Sequence, residues 1–523
     1  MSFDSIRTER AGTIAGIAVL LIALPTLLIW GDGMWFFLDE WSFLANRRLP
    51  TIDGFLAAHN GHWVTLPLIA YRVNFELFGL HTYLPYQLLV VLSHLTVAGL
   101  GHVIMRRMGV RAWLATAIMV GFVFYGAGYG NIIFGFQITL NGSVIAGLVQ
   151  MLCADHDGRW SRRDTVGLCV ALLGLMTSAV FPAMAVGVGA FVLIRRRDWR
   201  IAARHTVVPA AVFGLWYAFY GSSSGSDPGA WPIAQFVYHA FLGTFEGLAQ
   251  STPGGVALAF IAVLGGVTAW QSRGDDERMR VAAYPAGLAV AAFAFAALSG
   301  FNRSGLAEEL GISVESVASS GRYLHVMAAL LVPITALGAQ RLFARWRPLV
   351  LVPVALIALA LPAATEQIRE LPPFSTGDPD QVAALAHSEL IDQVPVDFMP
   401  LPFQDVRAGW LDRAAVAGDI PEPSAAVTPA RQLAADAILA LTAEATAELA
   451  CSPVEGSVDI TAAAGTRVFV DSPATMALTR GEIASPPRQV PAGSTIRVQA
   501  GPVDLRVTGQ DGAPLTACVV TPG

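Results

Sequence analysis

The chain contains no lysine: all 33 of its basic residues are arginine. With its abundant alanine and glycine, this points to a GC-rich bacterial gene and is silent on mechanism. Charge of either sign is scarce. Charged residues make up 14% of the 523, where a soluble protein carries roughly 25%. The hydrophobic share is 54% and the mean hydropathy +0.55, so the composition is that of a polytopic membrane protein and excludes a soluble globular one. A net charge of −6, with no basic stripe interleaved with aromatics outside the expected cytoplasmic loops, excludes nucleic acid as a partner. Cysteine is rare. None of the four has CxxC spacing, which argues against a zinc site. No small-residue cleavage site follows the first apolar run, so that run is expected to stay as an anchor. No repeat of fixed period is visible, so neither a solenoid nor an obvious inverted-repeat transporter is supported.

Long apolar runs are what the chain has in abundance. The first, residues 11–30, is as long as a bilayer core is thick. Arg7 and Arg10 precede it, which places the N-terminus in the cytoplasm. A long outer loop, 31–82, follows. Its second half, 62–78, carries Trp63, Leu66, Ile69, Ala70, Val73 and Leu77 at helical spacing and predicts a helix lying in the membrane interface. Further spans are expected at about 83–105, 112–129 and from the outer turn 131–137 to 153. The stretch 165–194 has arginines at both ends, so it must go out and return, turning near 177–182. Each arm of this hairpin has about 15 residues, or about 22 Å of helix, short for a full crossing. Spans at about 206–220, 255–270, 281–298, 324–339 and 349–364 complete a count of eleven. Between them lie outer loops at 221–253 and 301–323.

Three regions result: a transmembrane domain, 1–364; an extracytoplasmic linker with a helix, 365–450; and a small β-domain, 451–523. The linker is punctuated by proline and becomes alanine-rich and helix-prone at 428–449. From 457 the period is two, in Val458/Ile460, Val468/Val470, Ile496/Val498 and Leu505/Val507, which predicts a sandwich. Cys451 and Cys518 bracket this region on the oxidising side, where a disulfide is permitted. Cys153 and Cys169 flank a cytoplasmic loop and are expected to be reduced.

The most informative short motif is Asp39-Glu40, which emerges just past the first span among Trp35, Phe36, Phe37 and Trp41. Two carboxylates beside the outer membrane surface suit general-base work on a lipid-linked substrate, with a divalent metal as an option. Their bland reading is acids favoured at a helix start. His59-Asn60-Gly61-His62 could bind metal or phosphate. Read blandly, it is a polar loop entering the interfacial helix, and Gly61 argues against a shared helical face. Outer-face arginines are few. Arg322, beside Tyr323 at the mouth of the span at 324–339, could grip phosphate with two prongs. The bland reading is a snorkelling arginine with an aromatic-belt tyrosine. Arg72 is a weaker candidate that could simply pair with Glu76 four residues on. Gln137 and Asn141 could hydrogen-bond a sugar, or equally a neighbouring helix.

These motifs together resemble the GT-C superfamily of membrane glycosyltransferases. The matching pieces are Asp39-Glu40-Trp41, the His59-Asn60-Gly61-His62 loop with the helix after it, and Ser320-Gly321-Arg322-Tyr323. The resemblance covers residues 1–365 in architecture and only these motifs in sequence. The outer loop departs from the pattern in having no Asp-x-Asp, and Asp39 is followed by glutamate. The resemblance implies a polyprenyl-phosphate sugar as donor and a cell-envelope glycan, lipid or protein as acceptor. It also implies an outer C-terminal module like those of bacterial arabinosyl- and mannosyltransferases. Catalysis would fall to Asp39 and Glu40, and substrate binding to His59, Asn60, His62, Arg72, Gln137, Arg322 and Tyr323. Two other classes compete. A transporter or lipid flippase would place binding residues at mid-bilayer, where His94, Thr177 and Ser178 are poor material. A non-catalytic envelope assembly protein would act through its β-domain.

Overall fold

The computed structural model describes residues 3–46, 51–221, 229–271, 276–370, 378–401, 406–445 and 453–522. Arg47, Arg48 and Cys451 lie outside the described residues. The stretches expected to span fall on the helices Phe3–Trp30, Leu84–Arg107, Ala112–Val123, Ile138–Ala154, Arg162–Leu175, Phe181–Arg196, Trp199–Tyr220, Thr252–Trp270, Asp276–Leu310, Gly321–Arg345 and Leu351–Arg369, although the one expected at 112–129 stops as a continuous helix at Val123. Among the described residues, six helices are long and apolar enough to cross a membrane, or seven if the bent pair Ala230–Ala249 and Thr252–Thr268 counts as one.

The hairpin at 165–194 forms as two arms of 14 and 16 residues. Its two ends lie at the same end of the bundle, since Arg196 Nη1 reaches Asp164 Oδ1 at 2.5 Å. The second arm packs closely on the Asp276–Leu310 helix. A Cβ at Gly187 would sit 2.5 Å from that of Ala291, so glycine is what permits the approach.

One helix was not expected. The arginine-free stretch 221–253, read as an outer loop, contains the 20-residue helix Ala230–Ala249. Phe236, Ala240, Thr244, Phe245 and Leu248 are its buried face. That spacing is helical, but the flanking Gly, Ser and Pro signals outweigh it in the sequence.

The chain divides into two compact units that do not follow chain order. One comprises Met1–Met34, Arg48–Tyr71 and Leu84–Pro372; the other comprises Trp35–Arg47, Arg72–Tyr83 and Pro373–Gly523. Two pieces of the first outer loop therefore belong with the C-terminal part. Trp41 and Phe75 both pack on Trp410, at ring-centroid distances of 6.1 and 5.8 Å. Leu80 N–H donates to Asp419 O at 2.7 Å. Gly79, at φ +53°, lies so close to the Asp419 backbone that any Cβ would collide with it.

The C-terminal strands are β1 Leu441–Ala445, β2 Pro453–Glu455, β3 Val458–Ala462, β4 Arg467–Val470, β5 Ala474–Arg480, β6 Ile483–Ala484, β7 Arg488–Val490, β8 Ser494–Val498, β9 Val503–Gly509 and β10 Thr516–Val520. They form two antiparallel sheets. One has the order β1-β8-β4-β10-β2; the other is β3-β9-β5-β6, with β7 also paired to β5. Inward residues alternate along β5, where Ala474, Met476 and Leu478 are buried, as the period-two pattern predicts. The sheet begins earlier than the pattern does. The alanine-rich helix stops at Ala440, and residues 441–445 pair with β8, Leu441 opposite Val498. Strand pairing here overrides helix propensity. Cys518, on β10, is disulfide-bonded, and Cys153 and Cys169 are free.

Candidate functional site

The acidic pair sits on a short helical turn, Asp39–Trp41, that continues into the turn Ser42–Asn46. Leu38 precedes it at φ +47°, a conformation a branched side chain resists. Such strain persists only where the surroundings hold it. The two carboxylates have different fates. Asp39 is half-buried. Glu40 is fully buried and accepts hydrogen bonds from Tyr83 Oη at 2.8 Å and Phe37 N–H at 3.2 Å. Phe36 wedges between Trp35, Trp41 and Tyr83, with centroid distances of 5.1–6.0 Å. Glu40 therefore holds the segment together, while Asp39 is the less buried of the two carboxylates. Arg72, in the same unit, donates to Leu44 O at 2.7 Å, so it fixes the turn that follows the pair.

The other candidates belong to the helical unit. His59-Asn60-Gly61-His62 is a tight hairpin and not a helical turn. His59 and His62 exchange backbone hydrogen bonds at 2.9 and 2.8 Å. Asn60 and Gly61 both have positive φ, 49° and 79°, as a two-residue Asn-Gly hairpin requires. His62 Nδ1 accepts from Ala179 N–H and bonds Ser178 Oγ, each at 3.0 Å. A backbone amide can only donate, so a neutral His62 carries its proton on Nε2. The loop is thus docked on the turn between the hairpin arms. The ring of His59 packs against Phe136, next to Gln137.

Between Val123 and Ile138 the helix is broken into short turns, Gly126–Gly128, Gly130–Ile133 and Gly135–Gln137. This segment gathers buried amides. Asn131 Oδ1, Gln137 Oε1 and Asn141 Oδ1 are buried without a hydrogen-bond partner among the described residues. Asn131 Nδ2 contacts both Arg322 O and His325 Nδ1, at 3.4 and 3.3 Å. Arg322 Nε is likewise buried and unpartnered, and its guanidinium lies 4.9 Å from the Tyr323 ring centroid. Tyr323 itself is buried against Phe236 and Phe295, so its ring packs the core. His59, Gln137 and Arg322 are therefore linked through one broken-helix segment, with unused acceptors and an unused cationic donor.

Two features escaped the sequence reading. The first is a buried chain in which His325 Nε2 meets His94 Nδ1 at 2.9 Å and His94 Nε2 meets Val123 O at 3.0 Å. The chain closes if Asn131 donates to His325, His325 to His94, and His94 to the carbonyl, with both rings neutral. It anchors the first turns of the helix that carries Arg322. A lone histidine in an apolar span gave no hint of its partner. The second is a charge cluster at the opposite helix ends, around Asp155-His156-Asp157. Asp155 accepts from Arg107, Arg195 and Tyr284 at 2.6–2.8 Å. Burial by itself would raise its carboxyl, but these three hydrogen bonds outweigh it and hold the group below the ordinary range. Asp164 takes the Ser161 N–H, Arg196, His156 and His205. Arginines flanking separate spans thus meet on one face.

Among the described residues no group of three or more His, Cys, Asp or Glu side chains could hold a metal ion. Glu40 already serves Tyr83 and the Phe37 amide. The donor set around the acidic pair does not fit a protein-held divalent ion.

No family model matches the chain, and no characterised protein matches it by sequence. Among solved structures it is similar to ArnT from Cupriavidus metallidurans, crystallised bound to undecaprenyl phosphate. That likeness has a TM-score of 0.41 at 14% identity and covers 78% of this chain and 89% of that one. At such a score it decides neither fold nor function.

Proposed function

We propose that the chain is an integral membrane glycosyltransferase that moves a sugar from a polyprenyl-phosphate donor to a cell-envelope acceptor outside the cytoplasmic membrane. The observation that carries this reading is the buried Arg322 Nε, which has no partner among the described residues, beside a broken-helix segment where the amide oxygens of Asn131 and Gln137, and of Asn141 just after it, are likewise unmet. Leaving such groups unmet costs about 1–3 kcal/mol each, more for a charged one. A ligand with phosphate oxygens for the guanidinium and hydroxyls for the amides would satisfy both sets. An apolar cavity of about 550 Å³, lined by Phe241, Phe245, Pro285, Leu331 and Ile334 among others, supports the lipid part of the reading.

In the proposed reaction the acceptor hydroxyl oxygen attacks the anomeric carbon as the bond from that carbon to the phosphate oxygen breaks. The bonding pair leaves on the phosphate, where Arg322 stabilises the growing charge. The hydroxyl proton goes to Asp39. A single displacement inverts the anomeric centre. Gln137, His59, Asn60 and His62 would line the sugar and acceptor side, and Arg72 would keep the acidic turn in shape.

The experiment is to incubate membranes holding the protein with a panel of labelled polyprenyl-phosphate sugars and follow label into the aqueous or glycan fraction. One sugar should transfer with wild type and fail with Asp39→Asn. If Asp39→Asn fully complements a deletion strain, the enzyme reading falls and a scaffold remains.

A further inference from the structure

A second concave site lies at the other end of the helix that carries Arg322. It is a cavity of about 630 Å³ where the Gly321–Arg345 helix ends and the chain turns into Leu351–Arg369. Arg111, Arg345 and Arg347 line it with Gln340, Phe343 and Trp346, and no carboxylate is in the lining. The pocket is built. The Gln340 Oε1 accepts from Arg111 N–H at 3.0 Å, and the Arg111 guanidinium lies 4.6 Å from the centre of the Phe343 ring. Arg345 and Arg347 make no ion pair among the described residues. Glu9, which reaches the same helix start, is committed to Arg106 at 2.6 Å and to the Ala112 N–H at 3.0 Å.

The surroundings point to a membrane boundary. Trp346 is 59% exposed. Directly after the pocket, Leu351, Val352 and Leu359 expose an apolar helix face. An exposed tryptophan and arginines at the edge of an apolar surface are the arrangement of a lipid headgroup zone. On the side where arginine concentrates, anionic headgroups collect. We infer that Arg111, Arg345 and Arg347 bind the phosphate of an anionic lipid headgroup in the inner leaflet, at a site separate from the transfer chemistry.

The test uses purified full-length protein in neutral detergent, with bound lipid counted by native mass spectrometry as cardiolipin or phosphatidylcholine is titrated in. Wild type should hold cardiolipin well above phosphatidylcholine. Arg345→Gln/Arg347→Gln should weaken cardiolipin binding about thirtyfold, from two lost surface cations. Arg345→Lys/Arg347→Lys should restore most of it, because a phosphate can be held by point charges. The control Arg200→Gln/Arg204→Gln removes two arginines elsewhere and should leave binding unchanged. Equal loss in the control, or equal binding of the two lipids, would overturn the site. A parallel titration with inorganic phosphate separates the sources: displacement of cardiolipin by millimolar phosphate would overturn the lipid assignment in favour of a soluble phosphate. Because these variants leave Asp39 and Arg322 intact, their failure and the failure of the glycosyltransferase reading are distinguishable.

Discussion

The Asp164–Arg196 pair gives the most quantitative test of the helical unit. Both side chains are out of water, at 0% and 1% exposure, and 2.5 Å apart. Asp164 also takes the Ser161 amide, closing a capping box at the start of Arg162–Leu175, and it accepts from His205. Asp164→Asn keeps the volume but strands a buried guanidinium, a change that costs about 3–5 kcal/mol. Arg196→Met leaves the buried carboxylate without its guanidinium and should cost a similar amount. The double variant Asp164→Leu/Arg196→Met removes both charges. It should cost far less than the roughly 6–10 kcal/mol sum, since a buried pair replaced by apolar residues is often near neutral. The assay is unfolding of the purified variants in mixed micelles with rising sodium dodecyl sulfate, read as a double-mutant cycle. Additivity within about 0.5 kcal/mol, or an Asp164→Asn cost below about 1 kcal/mol, would refute the reasoning. The pH dependence has a definite sign. Burial alone would raise Asp164, but its hydrogen bonds outweigh that and hold it below 3.8. A depressed carboxyl stabilises the fold above 3.8, and that contribution is lost as the pH falls through the lowered value.

Three further outcomes follow from single contacts. Tyr83→Phe removes a hydrogen bond to a buried carboxylate and should cost about 1.5–3 kcal/mol in the same unfolding assay, with no cost expected if Glu40 is solvated. His325→Leu leaves a buried donor on Asn131 and an acceptor on His94 unmet, and should cost about 1–3 kcal/mol while raising KM for the donor lipid, because the chain anchors the turn carrying Arg322. Peptide mapping without reductant should recover Cys518 joined to Cys451; a free Cys518 thiol would contradict the disulfide on β10.

Most of the helices were legible because apolar runs and arginine clusters are strong, local signals. The hairpin at 165–194 was legible from arginines at both ends, although neither arm reaches a full crossing. What failed was weighting. In 221–253 the turn residues and missing arginines outweighed the helical spacing of Phe236, Ala240 and Thr244. Gly61 rightly argued against a shared helical face for His59 and His62, but the Asn60-Gly61 pair was not read as the two-residue hairpin it forms. The candidate site was legible residue by residue but not in its division of labour. Nothing local says that Glu40 is buried under Tyr83 while Asp39 is only half-buried, or that Tyr323 packs inward while Arg322 Nε has no partner among the described residues. Those depend on contacts tens to hundreds of residues apart, as does the His94–His325 chain.

The central claim is that Asp39 is the base and Arg322 the phosphate ligand of a sugar transfer. The measurement that tests it most directly is the single-turnover rate of sugar transfer by purified protein from a polyprenyl-phosphate sugar. Wild type is compared with Asp39→Asn and Arg322→Lys, each first shown to unfold at the wild-type midpoint. Loss of a general base predicts a fall of about 10²–10⁴ for Asp39→Asn. Arg322→Lys, which keeps the charge but loses the two-pronged grip, should be slower than wild type and faster than Arg322→Gln. Transfer at the wild-type rate by folded Asp39→Asn protein would contradict the account.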